Sequence, residues 1–202
     1  MSIRPTGVVG ILLAAGTGSR FGGQKLLARL PAGDGAGERV GTVSCRHLIA
    51  AIPDVVAVVR SDDAALAAAL GAAGAKVVRC GNADDGMGAS LACAVAAAPQ
   101  AVGWVVALAD MPWITPATIA RVAAAINAGA TVAAPFHRDV RGHPVGFGRS
   151  CYPALATLTG DEGAKSIIAL HRDALVQIDI DDEGALRDVD TPADLAGTPP
   201  PA

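Results

Sequence analysis

The chain has 202 residues, 51% of them hydrophobic but only 3% aromatic, and a formal net charge of -3. That length fits one domain able to bury roughly 70% of the surface its unfolded form exposes, with a core of Ala, Val, Leu and Ile rather than aromatic platforms. The 16 Lys and Arg residues are scattered, which excludes the basic footprint of a duplex-DNA or anionic-membrane binder.

No nucleic-acid or membrane partner is therefore expected, and an anionic ligand must be small and locally bound. Cys45, Cys80, Cys93 and Cys151 form no CxxC pair and do not cluster with histidines, so free thiols in a reducing cytoplasm are expected. The first apolar run is too short to cross a bilayer and continues into glycine and charge. A soluble, untargeted, cytoplasmic protein is the expectation.

In chain order, Val8–Ala15 reads as a strand, Val43–Ala51 as a helix and Val55–Arg60 as a second strand. Asp62–Ala73 reads as a helix capped by Ser61, Val77–Cys80 as a short strand, Ala89–Ala98 as a helix and Gly103–Ala109 as a buried strand ending at Asp110. Thr115 and Pro116 suit the cap and first turn of a helix running to about Asn127, and Thr131–Pro135 is strand-like. Beyond Phe136 the alternation degrades into a polar turn and strand, a loop and helix in "GDEGAKSIIALH", and a strand over Leu175–Ile180. In "DVDTPADL", Thr191, Pro192 and Asp194 fit cap, first turn and third helical position. Strand and helix alternation predicts an α/β fold with a mostly parallel sheet covered by helices. One domain is expected over 1–197, regular over about 1–135 and less regular over about 136–197. Residues 198–202 are expected to fray, and Pro31–Gly41 to be mobile.

The stretch "LAAGTGSRFGGQK", Leu13–Lys25, joins a strand end to a glycine-rich turn carrying Arg20 and Lys25. Glycines let backbone N–H groups converge on phosphate oxygens that side chains would block; a bare glycine-rich connection with two solvated cations would need no ligand at all. GxxxxGK[ST] is absent, and Gly16, Gly18 and Gly22 are spaced GxGxxxG rather than GxGxxG. Arg60 also stands where a dinucleotide fold would carry a ribose-binding acid.

The complete string resembles LxxGxGxRxGxxK, the signature of the MobA-like nucleotidyltransferases that activate sugars, isoprenoid precursors and molybdopterin. The resemblance implies a Rossmann-like three-layer α/β/α fold in which this loop wraps a nucleoside triphosphate, with a nucleotide-binding part over about 1–135 and an acceptor-binding part over about 136–197. It assigns Gly16, Gly18, Arg20 and Lys25 to phosphates, with Leu13, Ala14 and Ala15 also nucleotide-binding and Ala14, Ala15 and Gly16 near the base.

Further motifs follow in the same family order. Asp110, in "LADMP", ends a strand at the carboxyl edge of a parallel sheet, where open α/β folds bind ligands. A carboxylate there either partners the loop backbone or holds Mg2+, which takes one or two carboxylates and phosphate oxygens. Asp194 is explained by capping, whereas Asp190 and Asp188 are not. The family has a second metal-associated group in this late motif, and Asp190 is taken for it. Mg2+ is the implied cofactor, with Mn2+ able to replace it.

"GMGASLACAV" carries Ser90 near a helix start, as a turn residue or, by resemblance, beside the base. "RGHPVGF" and "GDEGAK" resemble the GHPV and GDxGA motifs of the molybdenum cofactor cytidylyltransferase branch. By that resemblance Arg141, His143, Asp161 and Lys165 bind the acceptor, and Arg20, Lys25 and Asp110 are catalytic.

The implied reaction is transfer of CMP from CTP to the phosphate of molybdopterin or molybdenum cofactor, with release of pyrophosphate. A molybdoenzyme or its maturation chaperone would receive the product. "LAAG" rather than "LAGG", and "GGQK" without the Asp of GGxDK, favour CTP over GTP. Guanylyl transfer with GTP is the alternative, as is a sugar phosphate or methylerythritol phosphate acceptor. Two readings of other classes are a dinucleotide-binding oxidoreductase, which the glycine spacing disfavours, and a non-catalytic nucleotide sensor or cofactor chaperone, which the joint presence of Arg20, Lys25, Asp110 and Asp190 disfavours.

Overall fold

The computed structural model describes residues 6–31 and 33–196. Strands β1 (Thr6–Ala14), β2 (Val55–Arg60), β3 (Lys76–Cys80) and β4 (Ala101–Leu108) alternate with helices α1 (Val40–Ala51), α2 (Ala64–Ala72) and α3 (Met87–Ala96). After α4 (Pro116–Asn127) come β5 (Val132–His137), β6 (Val140–Arg141), β7 (Val145–Gly148), α5 (Tyr152–Leu155), α6 (Lys165–Leu170), β8 (Leu175–Asp179) and α7 (Pro192–Ala196). The strand order is β3-β2-β1-β4-β7-β5-β6, with β8 also paired to β5. β1, β2, β3 and β4 run parallel, as do β5 and β8. β7 inserts antiparallel between β4 and β5, and β6 closes a hairpin on β5. Arg138 and Asp139 both adopt left-handed φ in that two-residue turn, as the right-handed twist of a hairpin favours.

Alternation along the strands divides the core between the two sheet faces. Val55, Ala57 and Val59 pack with α1, α2 and α4 residues such as Leu48, Leu66 and Ile119. Val56 and Val58 pack with Leu91 and Val95 of α3, Leu155 of α5 and Ile167 of α6. A side chain reverses face at each residue, so a strand buried on both faces reads as an unbroken apolar run. The result is the expected three-layer α/β/α arrangement with a mostly parallel sheet.

Several local expectations shift. α1 begins at Val40 rather than Val43, because Val40 and Gly41 are buried and Gly41 sits against Leu26. Asp63, not Ser61, caps α2, its carboxylate accepting from the Leu66 N–H at 3.0 Å. The final cap forms as read: the Thr191 N–H and hydroxyl both donate to Asp194 Oδ2, at 2.6 and 2.9 Å. The segment over 31–41, Ala32 apart, is tied to its surroundings by Leu30 N–H to the Glu38 carbonyl and by Arg46 and His47 to Asp34. The four cysteines are free thiols. Among the described residues no helix is long and apolar enough to cross a membrane. The expected frayed tail, 198–202, lies outside the described residues.

Candidate active site

The parallel strands β1, β2, β3 and β4 deliver their carboxyl ends to one edge, and a cavity of about 510 Å³ opens there. β1 supplies Leu13 and the residues after it, β2 ends in Arg60, the turn after β3 brings Asp84, and β4 leads to Asp110. Gly16, Gly18, Arg20 and Lys25 line the cavity with Ala15, Ser90 and Asp161. Gly18, at φ 61, turns the loop through left-handed backbone that glycine adopts without a Cβ penalty. Ala14 differs from its neighbours: its side chain is buried in the core beside α1 and α2.

Cations of this loop meet carboxylates from two distant segments. Lys25 Nζ lies 2.7 Å from Asp110 Oδ2 and 3.4 Å from Asp190 Oδ1, and Arg20 pairs with Asp190 Oδ2. Asp188 completes the acidic group: oxygens of Asp110, Asp188 and Asp190 all lie within 4.8 Å of one another. The local reason is alternation. Val189 is wholly buried, so in an extended chain its neighbours on either side project to the same opposite face. Burial, with the negative charges of Asp190 and Asp110 adding to it, raises the Asp188 carboxyl above its ordinary range.

Three clustered carboxylates favour a hard divalent cation with oxygen ligands. Asp110 Oδ1 is buried without a hydrogen-bond partner, a donor atom such an ion would satisfy. The residues present therefore fit a divalent metal ion.

The four residues assigned to the acceptor are divided. His143 is close enough to feel the charges of Arg141 and Asp110, and burial, reinforced by Arg141, pushes its pKa down to about 4. Its Nδ1 is buried without a partner, while Arg141 is exposed in β6. Asp161 instead stands on the cavity wall against Gly86. Lys165 is exposed at the start of α6 and does not line the cavity. Ser90 is buried, with its hydroxyl 3.5 Å from the Gly86 carbonyl.

Sequence reading passed over Asp188 in choosing Asp190, and did not place Arg60 and Asp84 in the site. These two form an ion pair of 2.6 Å on the cavity wall. Their signal was positional, since Arg60 ends β2 and Asp84 follows β3 at the carboxyl edge.

Comparison with known proteins identifies relatives over nearly the whole chain. The chain is 29% identical to the purine catabolism protein PucB of Bacillus subtilis strain 168 over 196 residues, covering 92% of each chain. It is 30% identical to nicotine blue oxidoreductase of Paenarthrobacter nicotinovorans over 192 residues, covering 91% of this chain and 92% of the relative. Among solved structures it is similar to Rv0371c of Mycobacterium tuberculosis H37Rv, with TM-score 0.78, 29% identity and 95% and 97% of the two chains covered. A manganese complex of that protein is also similar, at TM-score 0.73, 27% identity and the same coverage. Residues 10–176 match the MobA-like NTP transferase domain, and the chain belongs to that family.

Proposed function

We propose that the protein transfers CMP from CTP to the terminal phosphate of molybdopterin or molybdenum cofactor and releases pyrophosphate. The observation that carries nucleotidyl transfer is the convergence of Asp110, Asp188 and Asp190 on Lys25 and Arg20 beside a glycine-rich loop. CTP and the acceptor rest on "LAAG", "GHPV" and "GDEGA", through their resemblance to the cytidylyltransferase branch.

An acceptor phosphate oxygen attacks the α-phosphorus of CTP, the bond from that phosphorus to the bridging oxygen breaks, and the electron pair leaves on pyrophosphate. The nucleophile is already ionised near neutral pH, so no general base is required. The chain has to align the reactants and neutralise charge. Asp110, Asp188 and Asp190 would hold Mg2+, or Mn2+ in its place, and the ion would supply positive charge against the α-phosphate. Lys25 and Arg20 donate to the phosphates and stabilise the departing pyrophosphate. The backbone N–H groups of the loop add dipoles without mobile charge. His143, neutral at physiological pH, offers the acceptor an uncharged hydrogen-bonding group, and a molybdoenzyme or its maturation chaperone would take the product.

Incubation with each nucleoside triphosphate, Mg2+ and molybdopterin tests this, scoring pyrophosphate and the dinucleotide product. Turnover with CTP is expected; turnover with GTP alone would replace cytidylyl by guanylyl transfer. A second reading, hydride transfer, is raised by the name of the nicotine blue oxidoreductase relative. The GxGxxxG spacing opposes it, and tight NAD(H) binding with no pyrophosphate from any triphosphate would favour it.

A further inference from the structure

Carboxylates and cations of the site are engaged with one another. Lys25 bridges Asp110 and Asp190, and Arg20 takes the remaining oxygen of Asp190. Asp188 makes no ion pair among the described residues. The backbone before Lys25 favours this pairing. Lys25 follows Gly22, Gly23 and Gln24, all at left-handed φ, which turn the chain so sharply that the ammonium is directed back into the cavity. The Lys25 side chain is 12% exposed, that of Arg20 76%.

A metal ion arriving alone must compete with a part-buried ammonium for the oxygens it needs. A triphosphate arriving alone must approach three carboxylates and draw Lys25 away from two of them. Opposite charges at such distances interact far more strongly in a partly desolvated site than in water, so each ligand alone meets a substantial opposing interaction.

We infer that Lys25 is a shared counter-ion that couples the two ligands of this site, so that divalent metal and triphosphate each bind weakly alone and strongly together. The metal takes over Asp110 and Asp190 as the phosphates take over Lys25 and Arg20. Asp188, which pairs with neither cation, is the carboxylate on which the exchange begins. The inference rests on the reading of this cavity as a site for a metal ion and a nucleoside triphosphate. Lys25 is thereby a positioning residue for the carboxylates as well as a phosphate ligand.

Binding to the full chain, measured without turnover, tests the coupling. Lys25→Met is expected to bind Mn2+ alone at least about fivefold more tightly than the wild type, read from the free-ion electron paramagnetic resonance signal. Arg20→Gln should gain less, because its ion pair is solvent-exposed and screened, and Lys25→Arg should stay near wild type. Conversely, Asp110→Asn should bind CTP in EDTA more tightly than wild type, by calorimetry. A folded Lys25→Met protein whose Mn2+ affinity equals or falls below the wild type's overturns the coupling and leaves the site reading intact. Absence of Mn2+ binding in every form, with no CTP binding when Mn2+ is present, overturns the site reading itself.

Discussion

The Val189 N–H donates to the Asp110 carbonyl at 2.8 Å, joining the loop after β4 to the segment before α7. Its side chain is wholly buried in the same core as Met111 and Ile114. This contact fixes Asp188 and Asp190 on either side of Val189 relative to Asp110. Val189→Ala should destabilise by roughly 1–3 kcal/mol and also weaken Mn2+ binding, although no carboxylate is altered. Thermal unfolding and Mn2+ titration check the two parts. A lower midpoint with unchanged Mn2+ affinity would leave Val189 as core packing alone.

Of the three carboxylates, Asp110 is the one with a buried oxygen that has no hydrogen-bond partner, while its other oxygen accepts from the largely buried Lys25 at 2.7 Å. Asp110→Asn keeps the shape and removes the charge, so pyrophosphate release should fall about 100-fold or more with circular dichroism unchanged. Asp188→Asn should also lose turnover, since its oxygens belong to the same cluster. Near-normal rates in Asp110→Asn would remove that residue from the chemistry.

Much of this fold was legible because its strands are buried on both faces. Val55–Arg60 is a continuous apolar run closed by a charge, and it forms β2 over those residues. The start of α1 was not legible, because Gly41 and Thr42 read locally as loop and only the packing of Gly41 against Leu26 makes them helical. The phosphate loop and Asp110 stood out through unusual spacing and strand-end position. Asp188 was hidden because the choice between two acids either side of a valine needs the burial of Val189. The division of Arg141 and His143 from Asp161 follows from topology. β7 crosses back antiparallel against β4, and the chain then descends through α5, which packs on α3, placing Asp161 beside Gly86.

That wall makes Gly86 a sensitive position. It sits at φ 106, and a Cβ there would collide with the Gly160 backbone and lie 2.6 Å from Asp161 Oδ1. Gly86→Ala combines left-handed strain with overpacking, so a loss of about 1–3 kcal/mol is expected, together with weaker CTP binding. Gly22, at φ 87, has nothing within 4 Å of its would-be Cβ. Gly22→Ala should therefore lose less stability, reflecting backbone strain alone. Urea midpoints decide the comparison, and equal losses would show that the contact with Gly160 yields freely.

His143 gives the site an acid limit. Burial and the nearby Arg141 charge push its pKa down to about 4, with Asp110 opposing them, whereas in the unfolded chain it titrates near 6.5. As pH falls from about 6.5 to about 4 the unfolded chain takes up a proton that the folded chain refuses. Its contribution is thus fully present above pH 6.5 and is lost on acidification through that window. A shift of this size corresponds to roughly 3 kcal/mol by linkage. His143→Asn has no such proton to take up, so its stability should decline less steeply between pH 6.5 and 4, however stable it is at pH 7. Urea unfolding of both proteins at pH 7, 5.5 and 4.5 measures the slopes. Parallel slopes would mean that His143 takes up its proton over the same pH range in the folded and unfolded protein, so that burial does not hold it neutral through that window.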